Sequence, residues 1–183
     1  MQNFEIRTEQ LFLRTIEKSD VPEIFRVARK NPDLPKFMSW NPPEQIKETL
    51  TFFESTQKDF PEKSVVWSIF FEEKFVGIVS LEKIERKYGV LQTDRAEIGY
   101  WLDPEFHGNG IMPEAARAVL SFGFENLDLH KIIAHHFSEN IPSKKVIEKL
   151  GFRFVGTLEK DFGKNGRWHD AKLYELLKKN FKK

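Results

Sequence analysis

Residues 96–137 constrain this fold more than any other part of the chain. A strand-like run, Ala96-Glu97-Ile98-Gly99-Tyr100-Trp101-Leu102, leads into a glycine loop, His107-Gly108-Asn109-Gly110-Ile111-Met112. A helical pattern follows from about Pro113 to Leu127, and Lys131 to Phe137 reads as a strand again. A helical crossover between two strands of one sheet makes those strands parallel. Glycines between a strand and a helix let the backbone pass close to a bulky ligand. The first turn of the helix has free N–H groups at the positive end of the dipole. The passage therefore reads as a docking place for phosphate.

The rest of the chain supplies the frame. Leu11 to Ile16 is a strand. Ser19-Asp20 offers an N-cap with Pro22 in the first turn, and helical spacing runs to Asn31-Pro32. Asn31 to Pro43 carries four prolines with Phe37, Met38 and Trp40, too many for a helix, and reads as an ordered loop. A second helix spans about Glu44 to Lys58. Val65 to Phe71 and Phe75 to Leu81 form a hairpin around Glu72-Glu73-Lys74. Lys83 to Asp94 is a loop or a strand extension. The fourth helix runs from about Asn140 to Leu150, with Gly151 after its end. Phe152 to Thr157 and Ala171 to Leu177 are the last strands, and Gly163-Lys164-Asn165-Gly166 is a turn between them. The order is β-α-α-β-β-β-α-β-α-β-β: an α/β (α+β) chain with a mixed central sheet of about seven strands and four helices.

The 183 residues favour a single domain, 1–183. With a net charge of +1 the chain carries no electrostatic signature of a nucleic-acid binder, and the tail Lys178-Lys179 with Lys182-Lys183 reads as a solvated end. There is no cysteine, which excludes a Cys nucleophile, disulfides and thiolate metal sites. The start, Met1-Gln2-Asn3-Phe4-Glu5, has no signal-peptide pattern, and no apolar run approaches the ~20 residues of a membrane helix. A cytoplasmic protein with no membrane association is expected.

The glycine loop fails two common nucleotide patterns. No Gly-x-x-x-x-Gly-Lys-Ser/Thr string exists, and Gly108-x-Gly110 is followed by Pro113 where a dinucleotide fingerprint needs glycine. In context, Glu97 to Leu102, then Phe106 to Ile111 and Glu114-Ala115, resemble the acetyl-coenzyme A site of the GNAT superfamily. Asn140-Ile141-Pro142-Ser143-Lys144-Lys145-Val146-Ile147-Glu148-Lys149-Leu150-Gly151-Phe152 is similar to that superfamily's other signature. Together with Glu9 to Arg14 and Trp168 to Leu177, these segments resemble the Rim-type branch, the ribosomal-protein N-terminal acetyltransferases and their relatives. The superfamily loop usually opens with Gln or Arg, whereas this one opens with Glu105; a carboxylate beside a pyrophosphate would repel it, so Glu105 is expected to point away.

The resemblance implies a GNAT-like fold and transfer of an acetyl group from acetyl-coenzyme A to an amine, by direct attack because no cysteine can carry the acetyl group. Backbone groups of His107, Gly108, Asn109, Gly110, Ile111 and Met112 would hold the pyrophosphate. Trp101 or Leu102 would supply a backbone donor to the developing oxyanion where their strand splays from the next, with Gly99 permitting a bulge or kink. Asn140 would bond the pantetheine arm, Ser143 would protonate the leaving thiolate, and Lys145 could reach the nucleotide phosphate. Glu97 is the candidate base. Met38, Trp40, Tyr100, Phe162 and Trp168 are candidates to line the acceptor groove.

The acceptor is open on sequence. A peptide α-amine, pKa ~7.7–8.0, is already roughly a tenth neutral at pH 7, against well under a thousandth of a lysine, pKa ~10.4. That favours a protein or peptide N-terminus. The alternatives are a small amine (a polyamine, an aminoglycoside or an amino-acid-like compound) and a non-catalytic acetyl-coenzyme A-binding module. Asp33, Glu44, Glu54 and Asp161 are available to an acidic pocket but scattered. His135-His136 alternate faces in a strand and read as core or surface histidines. No metal signature is present. A homodimer would be one way to protect a sheet edge.

Overall fold

A computed structural model describes residues 3–182; Met1, Gln2 and Lys183, and with them the first two residues of the start read for a signal-peptide pattern and the last of the basic tail, lie outside the described residues. The strands are β1 (Glu5–Arg7), β2 (Leu11–Thr15), β3 (Val65–Phe71), β4 (Lys74–Tyr88), β5 (Leu91–Leu102), β6 (Lys131–Phe137), β7 (Arg153–Lys164) and β8 (Arg167–Leu177). The helices are α1 (Val21–Lys30), α2 (Ile46–Asp59), α3 (Ile111–Glu125) and α4 (Ile141–Lys149). One mixed sheet has the order β1-β2-β3-β4-β5-β6-β8-β7. Every pair is antiparallel except β5 with β6, as the helical crossover requires.

The sheet has eight strands, not seven. The additional one, β1, has three residues paired with Arg14, Leu13 and Phe12, too few to show a period of two in sequence. Lys83 to Asp94 is strand extension: β4 and β5 continue to a turn at Gly89-Val90, where Gly89 has φ +61°. Helix α3 begins at Ile111, two residues before the expected start, because Pro113 occupies its first turn, where an N–H has no intrahelical acceptor to lose. The β7–β8 hairpin turns at Asn165-Gly166, both at positive φ, the type I′ geometry that an Asn-Gly pair favours.

The period of two divides β5 between the two faces of the sheet. Ala96, Ile98 and Leu102 join the core beneath α3 and α4, with Ala115, Ala116, Val119, Leu120, Ile147 and Leu150. Trp101 joins the core beneath α1, with Ile24, Val27, Phe75 and Ile78. Each fully buried aliphatic side chain contributes about 1.5–3 kcal/mol to this packing. Arg14 on β2 donates two bonds to Asp20, at 2.8 and 2.6 Å, just before α1. Asp20 also accepts from Ser68 Oγ on β3 (2.8 Å) and from the Glu17 N–H (2.9 Å). This buried carboxylate fastens the start of α1 to two strands. Among the described residues no helix is long and apolar enough to cross a membrane.

Candidate active site

The glycine loop presents a row of unused donors. His107 N–H donates to Pro104 O and Glu114 N–H to Gly110 O. Between them, the N–H groups of Gly108, Asn109, Gly110, Ile111 and Met112 have no acceptor among the described residues. Gly108 and Gly110 have φ of +86° and +76°, and a Cβ at either would meet nothing within 4 Å. Five consecutive donors around open space, at the positive end of α3, form an anion cradle. Its selectivity lies in the backbone, since the Ile111 and Met112 side chains are buried in the core. The two acidic side chains nearby are turned aside. Glu105 pairs with Lys30 on α1, and Glu114 accepts from Thr8 Oγ1 (2.6 Å), Gln10 N (3.1 Å) and Gln10 Nε2 (2.8 Å).

Beside the cradle the sheet opens. The β5–β6 pairing covers Arg95↔Lys131, Ala96↔Ile132 and Glu97↔Ile133, and then stops although both strands continue. Asp103 N–H donates to Val76 O (2.8 Å) on the β4 side, so by alternation the Leu102 and Tyr100 peptides face the open edge. Leu102 O accepts from His107 Nε2 there, at 3.1 Å, which places that ring's proton on Nε2. Of the two expected oxyanion donors, Leu102 is therefore on the open edge. Trp101 is not: the same alternation turns its peptide toward β4. Nor does Gly99 mark a bulge, because Ser80↔Gly99 lies in an unbroken register. Its lack of a side chain makes room instead: a Cβ would come within 3.0 Å of Ser80 Oγ and 3.4 Å of Glu82 Oε1.

Helix α4 brings two expected residues to this opening. Asn140 is its N-cap, accepting from Ser143 N–H at 3.1 Å through Oδ1, so capping is a role it demonstrably has. Ser143 Oγ lies 2.9 Å from Tyr100 Oη. Burial pushes the Tyr100 hydroxyl up to about 12, opposed by its bond to Ser143, so the pair keeps its protons at neutral pH. Lys145 is exposed on the same helix.

The face beneath α1 carries aromatic residues and a partly exposed ion cluster. Glu97 Oε1 accepts from His135 Nε2 at 2.9 Å and Oε2 from Lys83 Nζ at 2.8 Å. Burial raises the affinity of Glu97 for a proton, but the bonds to His135 and Lys83 outweigh it and hold the carboxyl below its ordinary value. With both oxygens engaged, Glu97 is a structural ion pair in geometry and a poor free base. The ring of His135 lies 5.2 Å from that of Phe162, which lies 4.8 Å from Phe137. Trp40 packs edge-on to Trp101 at 6.1 Å, with Met38 against the same cluster.

Of the five residues expected to line an acceptor groove, Met38, Trp40 and Phe162 lie on this face. Tyr100 is on the opposite face, one strand position from Trp101. Trp168 is paired with Gly163 on the hairpin and packs over it, 69% exposed and on the other face from Phe162. Alternation within a strand separates both from the others.

Sequence reading missed Lys164, which lies inside a turn signal. Its ammonium donates to the carbonyls of Pro35 (2.7 Å), Met38 (2.5 Å) and Trp40 (2.8 Å), clamping the proline-rich loop to the β7–β8 hairpin. Burial lowers its proton affinity. The hairpin reaches the loop through a bulge at 159–161, fixed by Lys160 N–H donating to Asp170 Oδ1. Lys164→Met is expected to raise the acceptor KM about tenfold while leaving cofactor-induced thermal stabilisation unchanged, because a shift of about 1 Å in a positioning wall is costly to catalysis. Steady-state kinetics with the acceptor varied checks this.

No group of three or more His, Cys, Asp or Glu among the described residues could hold a metal ion. The acetyltransferase (GNAT) domain family matches residues 10–153. The probable N-acetyltransferase YjcK of Bacillus subtilis (strain 168) is 32% identical over 181 residues, covering 94% of this chain and 96% of the relative. The spermidine N(1)-acetyltransferase of Escherichia coli (strain K12) is 26% identical over 159 residues, covering 87% and 81%. In three dimensions the chain is similar to RimL, a ribosomal L7/L12 α-N-protein acetyltransferase solved with coenzyme A. The TM-score is 0.88 at 24% identity, over 95% of this chain and 98% of that one.

Proposed function

Because this chain belongs to the acetyltransferase (GNAT) family, we propose that it transfers the acetyl group of acetyl-coenzyme A to the α-amino group of a protein or peptide N-terminus. The cofactor's pyrophosphate fits the five free N–H groups from Gly108 to Met112. Its extended arm fits the edge of β5 left open beyond Glu97, with Leu102 N–H aimed at the carbonyl oxygen on which charge develops. The bound cofactor supplies an activated thioester. The Ser143–Tyr100 hydroxyl pair then gives a proton to the departing sulfur. Thiol release needs little help, the ordinary thiol pKa being ~8.5. Ser143→Ala is therefore expected to lower kcat on the order of 10–100-fold, with cofactor binding retained, as read by thiol release.

The observation that favours an α-amine over a polyamine is the character of the acceptor face. Its central carboxylate, Glu97, is neutralised internally by Lys83 and His135, and its walls are aromatic. A polycation needs several free carboxylates, but Asp33, Glu44, Glu54 and Asp161 are exposed at separate places: the proline-rich loop, the segment before α2, α2 itself and the β7 bulge. The relative that acts on spermidine makes polyamines the necessary comparison. The test incubates the protein and acetyl-coenzyme A with N-terminal peptides, spermidine and aminoglycosides. Thiol release with peptides first is the expected result; preference for spermidine would reject the α-amine reading. Stabilisation by the cofactor without turnover on any amine would reject the enzyme reading.

A further inference from the structure

Besides His169, which is paired with Phe162 and bonded to Glu139, the acceptor face holds a second histidine that the cofactor chemistry leaves unused. His135 is the second residue of β6 after Lys131 on the Lys131-Ile133-His135 side, and β5–β6 pairing ends at Glu97↔Ile133, just before it. It stands at the mouth of the opening, on the same face as Glu97 and the side-chain-free Gly99. Its Nε2–H donates to Glu97 Oε1, and its ring is braced by Phe162. A ring that donates through Nε2 carries its lone pair on Nδ1. Nδ1 has no partner among the described residues and is not among the buried unpaired atoms. The surroundings are Glu97 and Lys83 from β5 and β4, Phe162 from β7 and Leu173 opposite on β8.

We propose that His135 is the general base of this acetyl transfer, with Glu97 as the residue that positions it. The inference rests on the reading that the chain acetylates an amine. Imidazole is the side chain whose ordinary proton affinity matches neutral pH, and a carboxylate behind it fixes the tautomer and stabilises the imidazolium. Glu97, with both oxygens engaged, is better suited to orient a base than to be one. In the step, the amine nitrogen's lone pair forms the C–N bond and the C–S bond breaks. One N–H proton passes to His135 Nδ1 and then to water. The sulfur takes a proton from the Ser143–Tyr100 pair, which recovers it from water. Amine and thioester thereby become amide and thiol, and the overall proton count closes.

The experiment compares wild type, His135→Ala, His135→Gln and Glu97→Leu in the full chain, using acetyl-coenzyme A and the best peptide acceptor. A glutamine can still donate to Glu97 but takes up no proton. Both His135 variants are expected to lose about 10²–10³-fold in kcat/KM for the acceptor. Their stabilisation by acetyl-coenzyme A should stay at the wild-type level, and added imidazole should restore at least part of the His135→Ala rate. Glu97→Leu should lose less and gain nothing from imidazole. His135→Gln within threefold of wild type would overturn the proposal, as would a loss in both variants accompanied by loss of cofactor stabilisation. A wild type that acetylates no amine would instead reject the underlying reading, and the base with it.

Discussion

Replacing Gly110 by valine removes cofactor binding while leaving the protein folded. Gly110 is the N-cap of α3 at φ +76°, ψ −2°, a left-handed conformation that costs an ordinary L-residue about 1–2 kcal/mol and a β-branched one more. Its position faces open space, so a valine side chain would not clash with the protein itself. It would occupy the volume a phosphate needs and pull the Asn109, Gly110 and Ile111 N–H groups out of convergence. Each bond to a charged group contributes about 1.5–3 kcal/mol, so losing two lowers affinity on the order of 10²–10⁴-fold. At a cofactor concentration 100 times its Kd the wild type gains about 2.7 kcal/mol. At about 2–4 °C per kcal/mol this is a Tm rise of about 5–10 °C, which Gly110→Val should lack. A variant that keeps the full rise would show that the phosphates are held elsewhere.

Asp20→Ala should give the largest loss of stability. Asp20 is 4% exposed and accepts two bonds from Arg14, one from Ser68 and one from the Glu17 N–H. Alanine leaves the half-buried Arg14 guanidinium and the Ser68 hydroxyl without their acceptor. Breaking a buried pair on one side costs about 3–5 kcal/mol, equivalent to a Tm lower by about 6–20 °C. Asp20→Asn keeps an acceptor and should lose less. Denaturant titration of the three proteins decides; a loss under 1 kcal/mol for alanine would mean that Arg14 re-solvates freely. Because Asp20 anchors α1, whose Ile24 and Val27 pack with Trp101, the acceptor KM should also rise in a variant that remains folded.

The parts of the site built from local backbone were legible. The cradle is a strand, a pair of glycines and a helix start contiguous in sequence, and its two glycines stand at the positive φ their identity suggests. Asn140 and Ser143 share one helix turn for the same reason. Misplacements came where a residue's neighbour in space belongs to another strand. Tyr100 reads as an acceptor-groove aromatic until the pleat sends it to Ser143 on the far face. Trp168 reads the same way until the β7–β8 register pairs it with Gly163 and sends it to the other face from Phe162. Gly99 reads as a bulge until Ser80 and Glu82 on β4 show why a side chain there would crowd.

The sequence by itself determined the order of the four helices and of seven of the eight strands, the parallel step between β5 and β6 and the glycine loop at the start of α3, because each follows from chain-local periodicity and backbone freedom. Only the tertiary structure decided that Glu97 is engaged by Lys83 and His135, that Lys164 clamps the loop of Met38 and Trp40, and that Leu102 rather than Trp101 faces the opening. Those facts depend on strand register and on which ammonium, carboxylate or carbonyl lies within about 3 Å. Such distances are set by packing between segments many residues apart, which no local pattern records.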